Sequence, residues 1–105
     1  MSRYKAEKIP YNKQEQLIDK LCGVLAVLKT KNAIKDFLKD LLNRQERVML
    51  VRRLLIAEML EEGKTYREII EKLKCGAPTI ARVERWLHFG RKGYERAIAV
   101  KKPQK

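Results

Sequence analysis

The stretch TYREIIEKLKCGAPTIARVERWLHF, residues 65–89, constrains this chain most, because it encodes two short helices around one tight break. Thr65 is placed to cap a helix, and Glu68 three residues later can cap back to it, a reciprocal capping box. Ile69, Ile70 and Leu73 then mark one face of a short first helix. Lys74-Cys75-Gly76 breaks it, and Gly76 is expected to take the positive φ of a sharp turn. Pro78 opens a second helix, where its missing N–H costs nothing and its fixed φ helps. Ile80, Val83, Trp86 and Leu87 follow at helical spacing and are expected to form its buried stripe. Thr79, Arg82 and Arg85 fall on the opposite face and suit the edge of a nucleic-acid groove. Two short helices across a tight Gly-containing turn predict a helix-turn-helix, whose second helix enters a major groove.

Charge agrees with that reading. The chain has 105 residues, 25 of them Lys or Arg against 13 acids, a net charge of +12. Residues 1–63 hold 13 basic and 9 acidic side chains, whereas residues 64–105 hold 12 and 4. The surplus therefore concentrates on the segment that carries the proposed reading unit, as a nucleic-acid footprint does. A thermophilic enrichment in charge would raise acids alongside bases. A chain of this length and 45% apolar content fits one domain with a core. No apolar run reaches the roughly 20 residues of a membrane span, and no signal-peptide pattern opens the chain. Cys22 and Cys75 lack metal-ligand spacing and read as reduced thiols, so a cytoplasmic protein without metal is expected.

The remaining segments read as further helices. Residues 1–11 form a basic arm with Arg3, Lys5 and Lys8. Asn12 with Glu15 gives a box-like start to a helix striped by Leu17, Ile18, Leu21, Leu25 and Leu28. Gly23 inside it suggests a close helix crossing. Asn32 is expected to cap a second helix with Ala33, Ile34, Phe37, Leu38, Leu41 and Leu42 on its apolar face. Asn43 with Glu46 starts a third, striped by Val48, Val51, Leu54, Leu55, Ala57 and Met59, with Met49, Leu50 and Ile56 off that stripe. Gly63 ends it as the residue just past the cap. Tyr94 to Val100 forms a last helix, and 101–105 a basic tail. No period-2 alternation appears, so the fold class is all-α: about six helices in one helical domain over 12–100. The Leu-rich first helices are too short to enclose a private core, which argues for a partner copy. Two-fold dimers suit a two-fold operator.

From Leu41 onward the order of residues resembles the Trp repressor family, in its TrpR-like YerC/YecD group. The matching run is LLNRQERVMLVRRLLIAEMLEEGKTYREIIEKLKCGAPTIARVERWL, with its QER helix start, EEG helix end, YREI, and the G-A-x-T-I-x-R opening of the second helix of the motif. The resemblance implies an intertwined homodimer that binds double-stranded DNA. It places Arg67, Ala77, Pro78, Thr79 and Ala81 at DNA, with Gly76, Arg82 and Arg85 beside them. Arg67 can pair bidentately with a guanine edge, or instead with Glu71 one turn on. Lys74 and the turn amides are placed for phosphate, as are Arg85, Arg91 and Lys92.

The resemblance also implies a candidate effector pocket at Asn43, Arg53, Arg82, Val83 and Trp86. Arg53 and Arg82 match the two arginines that sandwich tryptophan in the tryptophan-regulated members. The small glycine of those members is Val83 here, and a ligand-holding serine aligns with Trp86. Val83 and Trp86 are therefore expected to fill the pocket, and Trp86 to stack on Arg82, making tryptophan a doubtful corepressor. The expected function is a sequence-specific transcriptional repressor. The rival is a helix-turn-helix module that positions a partner protein on DNA. An RNA-binding protein would want exposed aromatic platforms. No cofactor and no catalysis are expected: His88 is the single histidine, there is no phosphate loop, and Asp36 and Asp40 sit beside Lys35 and Lys39 on a solvated face.

Overall fold

In the computed structural model, which describes residues 8–101, the chain forms six helices and, among the described residues, no strand. They are α1 (Tyr11–Leu28), α2 (Lys31–Leu41), α3 (Arg44–Glu61), α4 (Tyr66–Leu73), α5 (Ala77–Phe89) and α6 (Gly93–Lys101). Contacts divide the chain between Leu41 and Leu42 into two compact units. Arg3 and Lys5 of the basic arm and residues 102–105 of the tail lie outside the described residues.

The first unit holds α1 and α2, which pack on each other. α1 starts one residue before the expected Asn12. The Pro10 carbonyl accepts the Gln14 amide at 3.0 Å. No box forms at Asn12: its Oδ1 accepts from the adjacent Lys13 amide instead. Lys29 stops the helix in the left-handed region, at φ 63°. The cap of α2 is Thr30, not Asn32. Its Oγ1 accepts from the Ala33 amide at 3.1 Å, which leaves Asn32 inside the first turn. The crossing expected at Gly23 is also absent among the described residues, since a Cβ built there meets nothing within 4 Å. Neither α1 nor α2 buries a residue.

The second unit has the core. Asn43 and Glu46 form the expected capping box at the start of α3: the Asn43 side chain accepts from the Glu46 amide and the Glu46 carboxylate accepts from the Asn43 amide, both at 2.9 Å. At its other end Gly63 takes φ 81°. The Lys64 amide then reaches the Met59 carbonyl and the Gly63 amide the Leu60 carbonyl, each at 3.0 Å, the paired bonds of a Schellman motif. Ile56, Ala57, Ile69, Ile80, Val83 and Ile98 bury together, drawing one or two residues from each of α3 to α6. This corrects the expected stripe on α3. Ile56, read as off-stripe, is wholly buried, while Val48, Val51 and Leu55 are exposed. A helix apolar on several sides offers several stripes, and α4 and α5 settle on the one through Ile56 and Ala57.

Candidate nucleic-acid interface

Local chemistry builds α4. The Thr65 hydroxyl accepts from the Glu68 amide at 3.2 Å, and Glu68 Oε1 accepts from the Thr65 amide at 3.0 Å and hydroxyl at 3.1 Å. The bond from the Thr65 amide is the main reason that the Glu68 carboxyl is held below its ordinary 4.5, with the hydroxyl bond second. Ile69 is buried under the helix and Arg67 faces out. Arg67 Nε lies 3.6 Å from Glu71 Oε1, with both side chains largely exposed. An ion pair so exposed contributes little and leaves Arg67 available to other partners.

The turn differs from expectation. The positive φ falls on Lys74 (φ 56°), whose amide bonds to the Ile70 carbonyl at 2.9 Å. Gly76 is extended, at φ −92°, and is the N-cap of α5; its carbonyl accepts from the amides of Thr79 and Ile80. The helix end decides this, because the left-handed residue follows the last turn of α4 directly. Pro78 sits within the first turn of α5 as anticipated. Cys75, between the two, is buried, while Cys22 is exposed, and both thiols are free.

α5 then sorts its side chains sharply. Ile80, Val83 and Leu87 are buried. Ala77, Pro78, Thr79, Ala81, Arg82 and Arg85 are exposed. Trp86, expected in the buried stripe, is 50% exposed, at the edge of that stripe rather than within it. Tyr66 of α4 locks the two helices together through a 2.6 Å hydrogen bond from its hydroxyl to Glu84 Oε1. That bond is the first cause of the Tyr66 hydroxyl titrating above its ordinary 10.0, with desolvation second. After α5, exposed Arg91 and Lys92 continue the basic surface.

Beside the start of α5 lies a hollow of about 530 Å³, walled by α3, the turn, α5 and α6. Arg53, Arg82, Val83 and Trp86 of the candidate effector pocket all line it. Asn43 does not; its side chain is committed to capping α3. Nor do Val83 and Trp86 fill the hollow as expected. Val83 turns into the core, only 3% exposed, and Trp86 forms part of the wall. Sequence reasoning missed Arg52 and Tyr94, which line the same space, and assigned Lys74, also in its wall, to DNA phosphate alone. The adjacent pair Arg52-Arg53 was a signal for the first, but only the approach of α5 shows that both reach one hollow.

A family model described as "Trp repressor protein" matches residues 16–102. The chain is similar to "Uncharacterized protein YerC" of Bacillus subtilis (strain 168), at 36% identity over 81 residues, which is 77% of this chain and 78% of that protein. Its fold is similar to the crystal structure of a TrpR like protein from Eubacterium eligens ATCC 27750, with a TM-score of 0.76 and 33% identity, covering 86% of this chain and 94% of the other.

Proposed function

The chain belongs to the Trp repressor family of all-α DNA-binding regulators, and we propose that within it this protein is a homodimeric repressor that reads a pseudo-palindromic operator without tryptophan. The observation that carries this reading is the sorting on α5. Every residue matched to a DNA-facing family position is exposed, and of the four α5 residues at core spacing Ile80, Val83 and Leu87 are buried. A rigid helix with one face anchored and the other bare suits insertion into a major groove.

Arg67 and Thr79 are the base readers in this proposal. Small Ala77, Pro78 and Ala81 allow close approach. Lys74, Gly76, Arg82, Arg85, Arg91 and Lys92 hold phosphates. The homodimer is supported by the bare apolar surface of α1, where Leu17, Ile18 and Val27 are 53%, 49% and 74% exposed, and by Leu41 at the end of α2, 47% exposed. Surface of that kind is costly to leave in water and favours a partner. Half-sites would then lie about one helical turn, ~34 Å, apart. Independence from tryptophan is supported by buried Val83 at the position of the glycine in tryptophan-regulated members. Among the described residues, no carboxylate lines the hollow.

The test is a duplex-selection assay on the purified protein with and without L-tryptophan, with light scattering to count subunits. A dimer that enriches the same two-fold site in both arms is the expected result. Enrichment only with tryptophan would overturn the independence. A monomer that enriches nothing alone would favour a module that acts beside a partner protein.

A further inference from the structure

Two large aromatic rings stand in water at the end of α5, and neither the core nor the duplex-facing set uses them. Phe89 is 81% exposed and Trp86 50%. Trp86 forms part of the wall of the hollow, but Phe89 lies outside it. Local structure fixes Phe89 in place. Gly90 closes α5 directly behind it, its amide donating to the Trp86 carbonyl at 2.9 Å. A Cβ at Gly90 would collide with that carbonyl, so only glycine allows this stop. The His88 ring meets Phe89 edge-on, with centroids 6.4 Å apart, and steadies it.

Charge is sorted around the rings. Arg82 to Trp86 and Arg85 to Phe89 are one helical turn apart, so all four share one exposed face of α5. Exposed Arg91 and Lys92 follow just past the helix. α5 carries one acid, Glu84, and its Oε1 is taken up by the Tyr66 hydroxyl. The surface is therefore flat and apolar at its rings and positive at its edges. A duplex keeps its base faces inside its own stack, whereas an unpaired strand offers base faces and phosphates together. Trp86 and Phe89 are offset by about 4.5 Å along the helix axis. That is close to the ~3.4 Å between successive stacked bases.

We propose that the end of α5 is a stacking platform for unpaired DNA, with bases on Phe89 and Trp86 and phosphates on Arg85, Arg91 and Lys92. Stacking tolerates any base, because every base has a π-face, and the arginines add cation–π attraction. An acidic protein segment would match the charge, but it carries no row of flat faces at that spacing. DNA rather than RNA is the occupant because the platform continues the face by which α5 approaches a duplex. Thr79 and Arg82 precede the rings on the same side, so a strand that leaves the duplex runs onto them. This choice of DNA rests on the proposed duplex reading; the stacking surface itself does not.

Trp86 is the single tryptophan of the chain, so quenching of its fluorescence reads stacking directly. The full chain is titrated with oligo(dT) of about 12 nucleotides, with an abasic strand of the same length, and with oligo(U). Saturable quenching by oligo(dT) is expected, about tenfold tighter than binding of the abasic strand, which keeps the phosphates without the bases. Oligo(U) should bind more weakly, because it lacks the methyl group that thymine offers to an apolar ring. Phe89→Ala should weaken oligo(dT) by about tenfold and leave circular dichroism and blunt-duplex affinity as they were. A duplex with a single-stranded dT tail should bind about tenfold better than the blunt duplex, and Phe89→Ala should remove that gain. No saturable quenching by oligo(dT), or equal binding of the abasic strand, would overturn the platform. So would a change of subunit count in Phe89→Ala by light scattering, since the ring would then belong to an interface between copies. Oligo(U) bound as well as oligo(dT), or better, overturns the choice of DNA. A tail that adds nothing overturns the path from duplex to platform and leaves the duplex reading standing. Quenching by oligo(dT) in a protein that holds no duplex upholds the platform and overturns the duplex reading instead.

Discussion

The Tyr66 hydroxyl donates to Glu84 Oε1 at 2.6 Å across eighteen residues of chain, and so ties the first residue of α4 to the middle of α5. Elsewhere the two helices meet through apolar side chains, which resist separation but tolerate sliding. A short directional bond fixes the register in which Arg67 and Thr79 face out together.

Tyr66→Phe should therefore lower stability and loosen the angle of α5, weakening base discrimination more than overall affinity. Alkaline pH should act on the same bond. The folded pKa of Tyr66 is raised, so its contribution is complete below the ordinary 10.0 and is lost as pH rises through the folded value, where phenolate would face carboxylate. Thermal melts of both proteins across that range check this. The difference between them should shrink as the hydroxyl ionises.

Acid acts through the other end of α4. Glu68 is held low by its bonds from Thr65, so its contribution is present above the ordinary 4.5 and is lost as pH falls through its lowered value. Thr65→Ala should cost about 1 kcal/mol at neutral pH by removing the cap. In Glu68→Gln the acid-dependent part of the loss should vanish, which denaturant titrations at neutral and acidic pH will read.

At the turn, the φ values predict opposite outcomes from neighbouring substitutions. Lys74→Gly relieves a left-handed lysine at φ 56°, worth about 1–2 kcal/mol, and gives back about 0.5–1 kcal/mol in unfolded-chain entropy. Net stability should hold or rise by up to ~1.5 kcal/mol while duplex affinity falls with the lost charge. Gly76→Ala should cost under ~1 kcal/mol, because its φ is ordinary and the new Cβ meets only Pro78 Cδ, at 3.5 Å. Chemical denaturation ranks the two.

Ile80 is wholly buried on the inner face of α5. Ile80→Ala should cost about 2–5 kcal/mol. DNA binding should be lost in parallel with folding, as measured by circular dichroism against binding on the same samples.

On DNA, Arg67→Ala should cost about 1–3 kcal/mol at one base pair of the half-site. Arg91→Ala should weaken all duplexes alike and reduce the salt dependence by about one phosphate contact. Anisotropy titrations with matched and singly mismatched duplexes separate the two.

What the chain determined by itself lies within reach of four or five residues. Thr65 with Glu68, Asn43 with Glu46, and Gly63 past the end of α3 each close their bonds inside one helical turn and were legible from neighbouring residues, although the same Asn-to-Glu spacing at Asn12 and Glu15 forms no box. The break between α4 and α5 was equally legible as a break. The regular return of Ile80, Val83 and Leu87 announced a buried face for the same reason, since helical geometry is local. Tertiary packing decided the rest. Which stripe of α3 becomes core depends on where α4 and α5 come to lie, and that choice put Ile56 inside and left Val51 out. Trp86 sits at a stripe edge, where the neighbouring helix and not the period sets exposure. Arg52, Lys74 and Tyr94 come from three separate elements, and only the approach of those elements brings them to one hollow. Local bonds are written by neighbours in sequence, but burial and charge clustering are properties of what meets in space.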